Sequence, residues 1–109
     1  MKKLLVISLV IFSAASQAGS ATSGALSTVH FMSGGSVIVY TSGTRSGVPS
    51  CAVNQPTRFA IDATTEGGKV QLSGLLLAYA SGKNVVIHGE GHCAAYGDSE
   101  TIPYFYTAD

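Results

Sequence analysis

The chain has 109 residues, with 6 basic and 6 acidic side chains that together make up 11% of it. These charges are spread along the sequence, which excludes the concentrated positive charge that nucleic-acid and anionic-membrane binding require. The apolar residues recur in ordered blocks, so we expect a folded chain and not a disordered one.

The N-terminal segment has the order of a secretory signal peptide. Two lysines precede an apolar run over residues 4–12, and small residues stand at Ser16 and Ala18. This run is shorter than the roughly 20 residues of a membrane-spanning helix, and no lipoprotein cysteine follows it. We therefore predict a signal peptide over residues 1–18, cleaved after Ala18, and a single domain over residues 19–109 that is secreted or periplasmic in a bacterium.

The two cysteines, Cys51 and Cys93, both lie in the predicted mature domain. Because an exported chain enters an oxidising compartment, we expect them to form a disulfide. The chain-entropy model assigns about 4 kcal/mol of stabilisation to a loop of this length. The alternatives are a free reactive thiol and a pair of metal ligands.

Apolar and β-branched residues predict three strands in the first half of the mature domain. Residues 25–32 and 36–41 flank a turn at residues 33–35 and predict a hairpin. Extended structure is expected to begin at residues 51–53 and, after a proline, to continue as a strand over residues 57–62.

A helix is predicted over residues 65–81, with Thr65 among the candidate N-caps and Gly82 as the C-terminal stop. Val70 and Leu77 fall outside its main apolar stripe, which indicates a second apolar side. The stripe itself has helical spacing and comprises Leu72, Leu75, Leu76, Tyr79 and Ala80.

Two more strands are predicted after the helix, over residues 84–93 and 101–107, with Pro103 marking the last as an edge strand. The resulting order is β-β-β-α-β-β. A β-rich, five-stranded barrel with one helix between strands three and four has the topology of an OB-fold. The alternative is an open antiparallel sheet with one helix packed across it.

Three segments, at residues 58–69, 75–83 and 85–93, resemble small secreted bacterial proteins. Their plan of a signal peptide, short strands, a central helix and two cysteines is similar to that of the B subunits of AB5 toxins, particularly the subtilase-cytotoxin and pertussis-like type. The resemblance implies an OB-fold, a homo-oligomer that in that family is a ring of five, and binding to a cell-surface glycan or to a protein partner.

His88, Glu90 and His92 are the candidate metal ligands. Alternate residues of a strand point the same way at a spacing of about 6.6 Å, and two imidazoles with a carboxylate suit zinc. The other interpretation of these residues is a solvated strand face.

The aromatic residues near the C-terminus are the candidate ligand-binding group. Tyrosines with carboxylates beside them often hold sugars, by ring stacking and hydrogen bonds. Asp98 and Glu100 supply such carboxylates, although about half of the aromatic side chains are expected in the core. The predicted ligand-binding residues are Tyr96, Asp98, Tyr104 and Tyr106.

The sequence contains no H-E-x-x-H motif, no G-x-S-x-G motif and no phosphate-binding glycine loop. We therefore expect a binding protein without a cofactor, and not an enzyme. One alternative is a small periplasmic metal-binding protein or enzyme that uses His88, Glu90 and His92. The other is a periplasmic inhibitor or accessory protein.

Overall fold

The computed structural model describes residues 18–108, so all of the predicted signal peptide except Ala18 lies outside the described residues. A 3₁₀ turn at Ser50–Ala52 replaces the extended start that was predicted for residues 51–53. The described residues form seven strands and one helix: β1 (Ser20–Phe31), β2 (Ser36–Thr41), β3 (Arg45–Ser46), β4 (Arg58–Asp62), α1 (Glu66–Ser81), β5 (Asn84–His88), β6 (Glu100–Thr101) and β7 (Tyr104–Ala108).

The long strand β1 is shared by the two halves of the sheet. Its C-terminal part pairs with β2 and its N-terminal part with β5, in both cases antiparallel. Beyond them, β4 pairs antiparallel with β2, β6 pairs parallel with β4, and β7 pairs antiparallel with β5. The sheet is curled and carries one helix, which is consistent with an OB-like barrel.

β6 and β7 stand at opposite ends of the strand order, although only Ile102 and Pro103 separate them in the chain. The Ile102 N–H donates to the Ala60 carbonyl at 3.0 Å. Pro103 has no N–H, so the pairing with β4 ends there and the chain passes over to β5. The Thr101 N–H also donates to the His92 carbonyl at 2.8 Å, which brings the segment after β5 against β6.

The predicted count of five strands and the order β-β-β-α-β-β are therefore wrong in detail. The short strand β3 forms between the second and third predicted strands, so that the helix follows the fourth strand of the chain. Pro103 divides the predicted last strand into β6 and β7. The strand predicted for residues 84–93 ends at His88, and the parallel β4–β6 pair excludes a purely antiparallel sheet.

The hairpin of β1 and β2 is confirmed, but β1 begins at Ser20, five residues before the predicted start at residue 25. A register shift between Leu26 and Thr28 breaks the alternation of faces. As a result, Leu26 is buried and Val29 packs partly against the same core, although the simple alternation assigned them to opposite faces.

The hydrophobic core lies between the curled sheet and the helix. Phe59 and Ile61 of β4 and Val85 and Ile87 of β5 are fully buried in it. Leu75 is the large helix side chain that joins them. Burial of such apolar side chains contributes about 1.5–3 kcal/mol each relative to exposure.

The ends of the helix are confirmed. The Thr65 hydroxyl caps the first turn by accepting the Gly68 N–H at 2.9 Å, and Gly82 ends the helix in the left-handed conformation with φ 68°. The predicted stripe is wrong in part, because Leu76, Tyr79 and Ala80 are exposed. The buried residues of the helix are Gly68, Leu75 and Ala78, with Leu72 half-buried.

The predicted disulfide is confirmed: Cys51 and Cys93 are bonded, with their Cα atoms 6.1 Å apart. It joins the 3₁₀ turn to the segment after β5, and it is consistent with an extracytoplasmic protein. Within residues 18–108, the helix is neither long enough nor apolar enough to cross a membrane.

Gly67 and Gly68 of α1 provide a matched test of the close contact between the first turn of the helix and the end of β4. A Cβ on Gly68 would overlap the Asp62 carbonyl, whereas a Cβ on Gly67 would meet nothing within 4 Å. We expect Gly68→Ala to lower the free energy of unfolding by more than about 2 kcal/mol and Gly67→Ala to raise it by up to about 1 kcal/mol. Urea denaturation followed by circular dichroism measures both, and equal effects of the two substitutions would contradict this contact.

Candidate functional site

Three aromatic side chains, His88 of β5 and Tyr104 and Tyr106 of β7, form a surface that we call the aromatic face. His88 is the register partner of Tyr104, and Val86 is the partner of Tyr106. Because strand residues alternate between faces, these side chains point away from the core, while Phe105 packs partly against it. The aromatic face is therefore fixed by the β5–β7 register.

The rings of the aromatic face are stacked. The His88 and Tyr104 centroids are 4.5 Å apart with an interplanar angle of 13°, and the His88 and Tyr106 centroids are 6.1 Å apart with an angle of 27°. Tyr104 remains 53% exposed and Tyr106 51% exposed. The face thus offers aromatic surface together with phenol and imidazole groups, a combination suited to an amphipathic ligand.

An apolar groove of about 440 Å³ runs between α1 and β7. Val70 and Leu77 form its helix side, and Tyr104 and Tyr106 contribute to its strand side. Val70 is 74% exposed and Leu77 71% exposed, so the second apolar side predicted for the helix faces this groove. The groove and the aromatic face meet at β7, because Tyr104 and Tyr106 are also among the residues that line the groove.

Gln71 fixes the start of β7 relative to the helix. Its Nε2 donates to the Ile102 carbonyl at 2.9 Å and to the Pro103 carbonyl at 3.0 Å. Beyond these contacts, β7 pairs only with β5 within the described sheet. It is an edge strand that presents backbone donors and acceptors on its other side.

A polar cluster surrounds Arg58 at the start of β4. Its guanidinium donates to the Tyr40 hydroxyl at 3.1 Å and to the Asp98 carboxylate at 2.5 Å. It also lies 5.9 Å from the ring centroids of Tyr40 and Tyr96. Ser99 donates a further hydrogen bond to Asp98 at 2.9 Å.

This cluster shifts the pKa of its carboxylate. The hydrogen bond from Arg58 lowers the pKa of Asp98 below its ordinary value, against the opposing effect of burial, and Ser99 lowers it further. The carboxylate is therefore already engaged within the protein, which favours a role in holding the segment around Tyr96 to β4.

Glu100 is not an exposed carboxylate of the aromatic group, because it is completely buried. Its carboxylate forms an ion pair with Arg45 of β3. It also accepts the N–H groups of Gly19 and Gly91, each at 2.8 Å. Glu100 thus holds the barrel together from inside and is not available to a surface ligand.

The predicted metal ligands His88, Glu90 and His92 do not lie along one strand face. β5 ends at His88, and Gly91 has φ 83°, so the strand alternation does not extend to His92. Among residues 18–108, no group of three His, Cys, Asp or Glu side chains is placed to hold a metal ion. His88 is instead a member of the aromatic face.

The four predicted ligand-binding residues divide into two pairs with different partners. Tyr104 and Tyr106 belong to the aromatic face, whereas Tyr96 and Asp98 belong to the Arg58 cluster. Sequence reasoning did not assign Tyr40 to the site, because its proximity to Arg58 depends on the β2–β4 register. The sequence did contain an indication of the groove, because Val70 and Leu77 lie outside the main apolar stripe of the predicted helix.

A scan against protein-family models and searches of curated proteins and of solved structures found no match to this chain. The interpretation of the site therefore depends on its own geometry.

The Arg58–Asp98 pair predicts a specific acid dependence of stability. Because the folded pKa of Asp98 is lowered, the stabilisation is present above the unfolded pKa of about 3.9 and is lost as the pH falls through the folded pKa. Asp98→Asn should therefore lower stability at pH 6 by less than about 1 kcal/mol, since the pair is partly exposed, and should reduce the decline in stability below about pH 4.

Urea denaturation between pH 2.5 and pH 6 measures this effect. Glu66→Gln is the matched control, because the Glu66 side chain is 96% exposed and its pair with Lys69 is long, at 3.5 Å. An Asp98→Asn curve that runs parallel to the wild-type curve over this range would contradict the assignment.

Proposed function

We propose that this protein is a secreted or periplasmic binding module that holds a carbohydrate on the aromatic face. The observation that supports this most directly is the pair of half-exposed tyrosines stacked with His88 beside an open groove. The apolar C–H surface of a sugar ring packs on aromatic rings, and its hydroxyls accept or donate hydrogen bonds at the edges. Phenol and imidazole groups of the same face supply such bonds.

The same proposal includes the finer description of the fold. In it, the barrel is an OB-fold whose five strands are β1, β2, β4, β5 and the divided strand β6–β7, with β3 as a short addition. The parallel β4–β6 pair and the antiparallel β1–β5 pair support this description. The resemblance to B subunits of AB5 toxins of the subtilase-cytotoxin and pertussis-like type supports this fold, and it suggests a glycan ligand only by analogy.

The overall affinity of a binding surface of this kind rises when several copies of it act together. A single shallow aromatic face has few groups that fix a sugar, and its affinity is limited by the cost of binding. Several copies in one assembly convert later binding events into intramolecular ones. The proposal therefore includes a homo-oligomer, for which a ring of five is the arrangement that the resemblance implies.

The helix side of the groove between α1 and β7, formed by Val70 and Leu77, is the surface we propose for that self-association, with a second copy of this chain as its occupant. The aromatic rings on the outer side of β7 remain available to the carbohydrate. Val70 and Leu77 are strongly exposed there, next to the edge of β7 that has no partner strand among residues 18–108. A strand edge of one copy offers backbone groups that an extended segment of another copy can pair with. The two exposed aliphatic side chains would be buried in the same contact.

Tyr104→Ala and Tyr106→Ala test the carbohydrate site. Each substitution removes one stacking ring, so we expect at least a tenfold loss of affinity, about 1.4 kcal/mol, for a sugar identified on a glycan array. Isothermal titration calorimetry measures the loss. Tyr79→Ala is the matched control, because Tyr79 is a 45% exposed tyrosine of the helix that is not part of the aromatic face.

A Tyr79→Ala variant that loses as much affinity as the β7 variants would contradict the proposed site. Absence of binding to every glycan on the array would overturn the carbohydrate ligand. A protein captured at the aromatic face in its place would support the alternative of an inhibitor or accessory protein.

Leu77→Glu tests the self-association. A buried charge without a partner is strongly unfavourable, so we expect the variant to be monomeric where the wild-type protein is oligomeric in native mass spectrometry. Val53→Glu is the control, because Val53 is 59% exposed and lies outside the groove. A monomeric wild-type protein at micromolar concentration would contradict this part of the proposal.

A further inference from the structure

The first buried residue of the described chain is Gly19. Its N–H donates to Glu100 Oε2 at 2.8 Å, and its carbonyl accepts the Gly89 N–H at 2.7 Å. The preceding residue, Ala18, is exposed. The chain therefore passes from solvent into the protein at the Ala18–Gly19 peptide bond, which is the bond that the sequence predicts to be cleaved.

The group that accepts the Gly19 N–H is the buried carboxylate of Glu100, which has Arg45 as a cationic partner. Glu100 is fully buried, and Arg45, whose side chain is 9% exposed, pairs with its Oε1 atom. The Gly91 N–H shares Oε2 with Gly19, also at 2.8 Å. Electrostatic attraction is stronger in such a low-dielectric position than in water, so the Glu100 carboxylate would attract a positive charge at the Gly19 nitrogen.

The surroundings of Gly19 also leave no space for a side chain. A Cβ at this position would overlap the Gly47 carbonyl and would lie 2.7 Å from Glu100 Oε1 and 2.8 Å from the Ser46 carbonyl. These carbonyl oxygens lie against the Gly19 backbone.

We propose that signal-peptide cleavage completes the fold, because the α-ammonium group that it creates on Gly19 forms a buried ion pair with Glu100. A signal peptidase adds water across the Ala18–Gly19 bond. The hydroxyl goes to the Ala18 carbonyl carbon and a proton goes to the Gly19 nitrogen, and the resulting amine takes up one more proton from solvent. A hydrogen bond from a neutral N–H to the carboxylate is thereby replaced by one in which both donor and acceptor are charged.

This step makes the processed protein more stable than a chain that is extended at its N-terminus. It also sets a requirement for glycine as the first residue of the mature chain. Neither consequence depends on the ligand of the aromatic face.

Three otherwise identical proteins test the proposal: one that begins at Gly19, one that begins at Gly19 with an acetylated amine, and one that begins at Ala18. We expect the first to have the highest Tm, by about 4–8 °C, the shift typical of one charge-assisted bond in a domain of this size. The form beginning at Ala18 is the matched control, because its free amine lies one residue outside the buried position. Equal Tm values for the three forms would overturn the proposal.

Glu100→Gln distinguishes the ion pair from a general effect of the amine. In this background the free and acetylated forms should have equal Tm values, and an unchanged difference between them would overturn the proposal. Because this variant also loses the pair with Arg45, a second measurement uses the wild-type protein. Its α-amine should react with an acetylating reagent at least about tenfold more slowly when folded than in urea, whereas the exposed Lys69 and Lys83 should react at similar rates in both conditions.

N-terminal sequencing of the exported protein provides the remaining check. A mature chain that begins at Gly19 is the expected result. A mature chain that begins at any other residue would overturn the proposal.

Discussion

The buried ion pair between Glu100 and Arg45 is the interaction on which the rest of the structure depends. It joins the parallel strand β6 to the short strand β3, and the same carboxylate binds two backbone N–H groups from the segments at residues 19 and 91. The Arg45 guanidinium also lies 4.0 Å above the Phe59 ring in the core. Removal of one partner of such a pair typically costs about 3–5 kcal/mol, because the other charge remains buried alone.

This internal anchor determines where the aromatic face lies. Glu100 fixes β6 beside β4, and Pro103 then ends that pairing and directs the chain to β5. β7 thus begins at a defined point, which Gln71 secures by two hydrogen bonds from the helix. The orientation of Tyr104 and Tyr106 is a consequence of this route of the chain, together with the alternation of side chains along the strand.

The features that were predictable from the sequence have local causes. Thr65 and Gly82 mark the ends of the helix because capping depends on neighbouring residues, and two cysteines allow only one intramolecular pairing. The burial of Glu100 was not predictable, since its partners lie far away in the sequence at Gly19 and Arg45. The metal interpretation of His88, Glu90 and His92 assumed one continuous strand face, whereas β5 ends at His88 and the chain turns after it.

Because side chains alternate along β7, one side of this short strand packs against the core and the other side is exposed. Phe105 packs partly against the core and lies 3.5 Å from where a Cβ of Gly74 would stand, whereas Tyr104 and Tyr106 are outside the core. Residues on the outer side can therefore change identity without altering the volume of the interior. Substitutions at these two positions would change the chemistry of the outer surface while the scaffold beneath it stays the same.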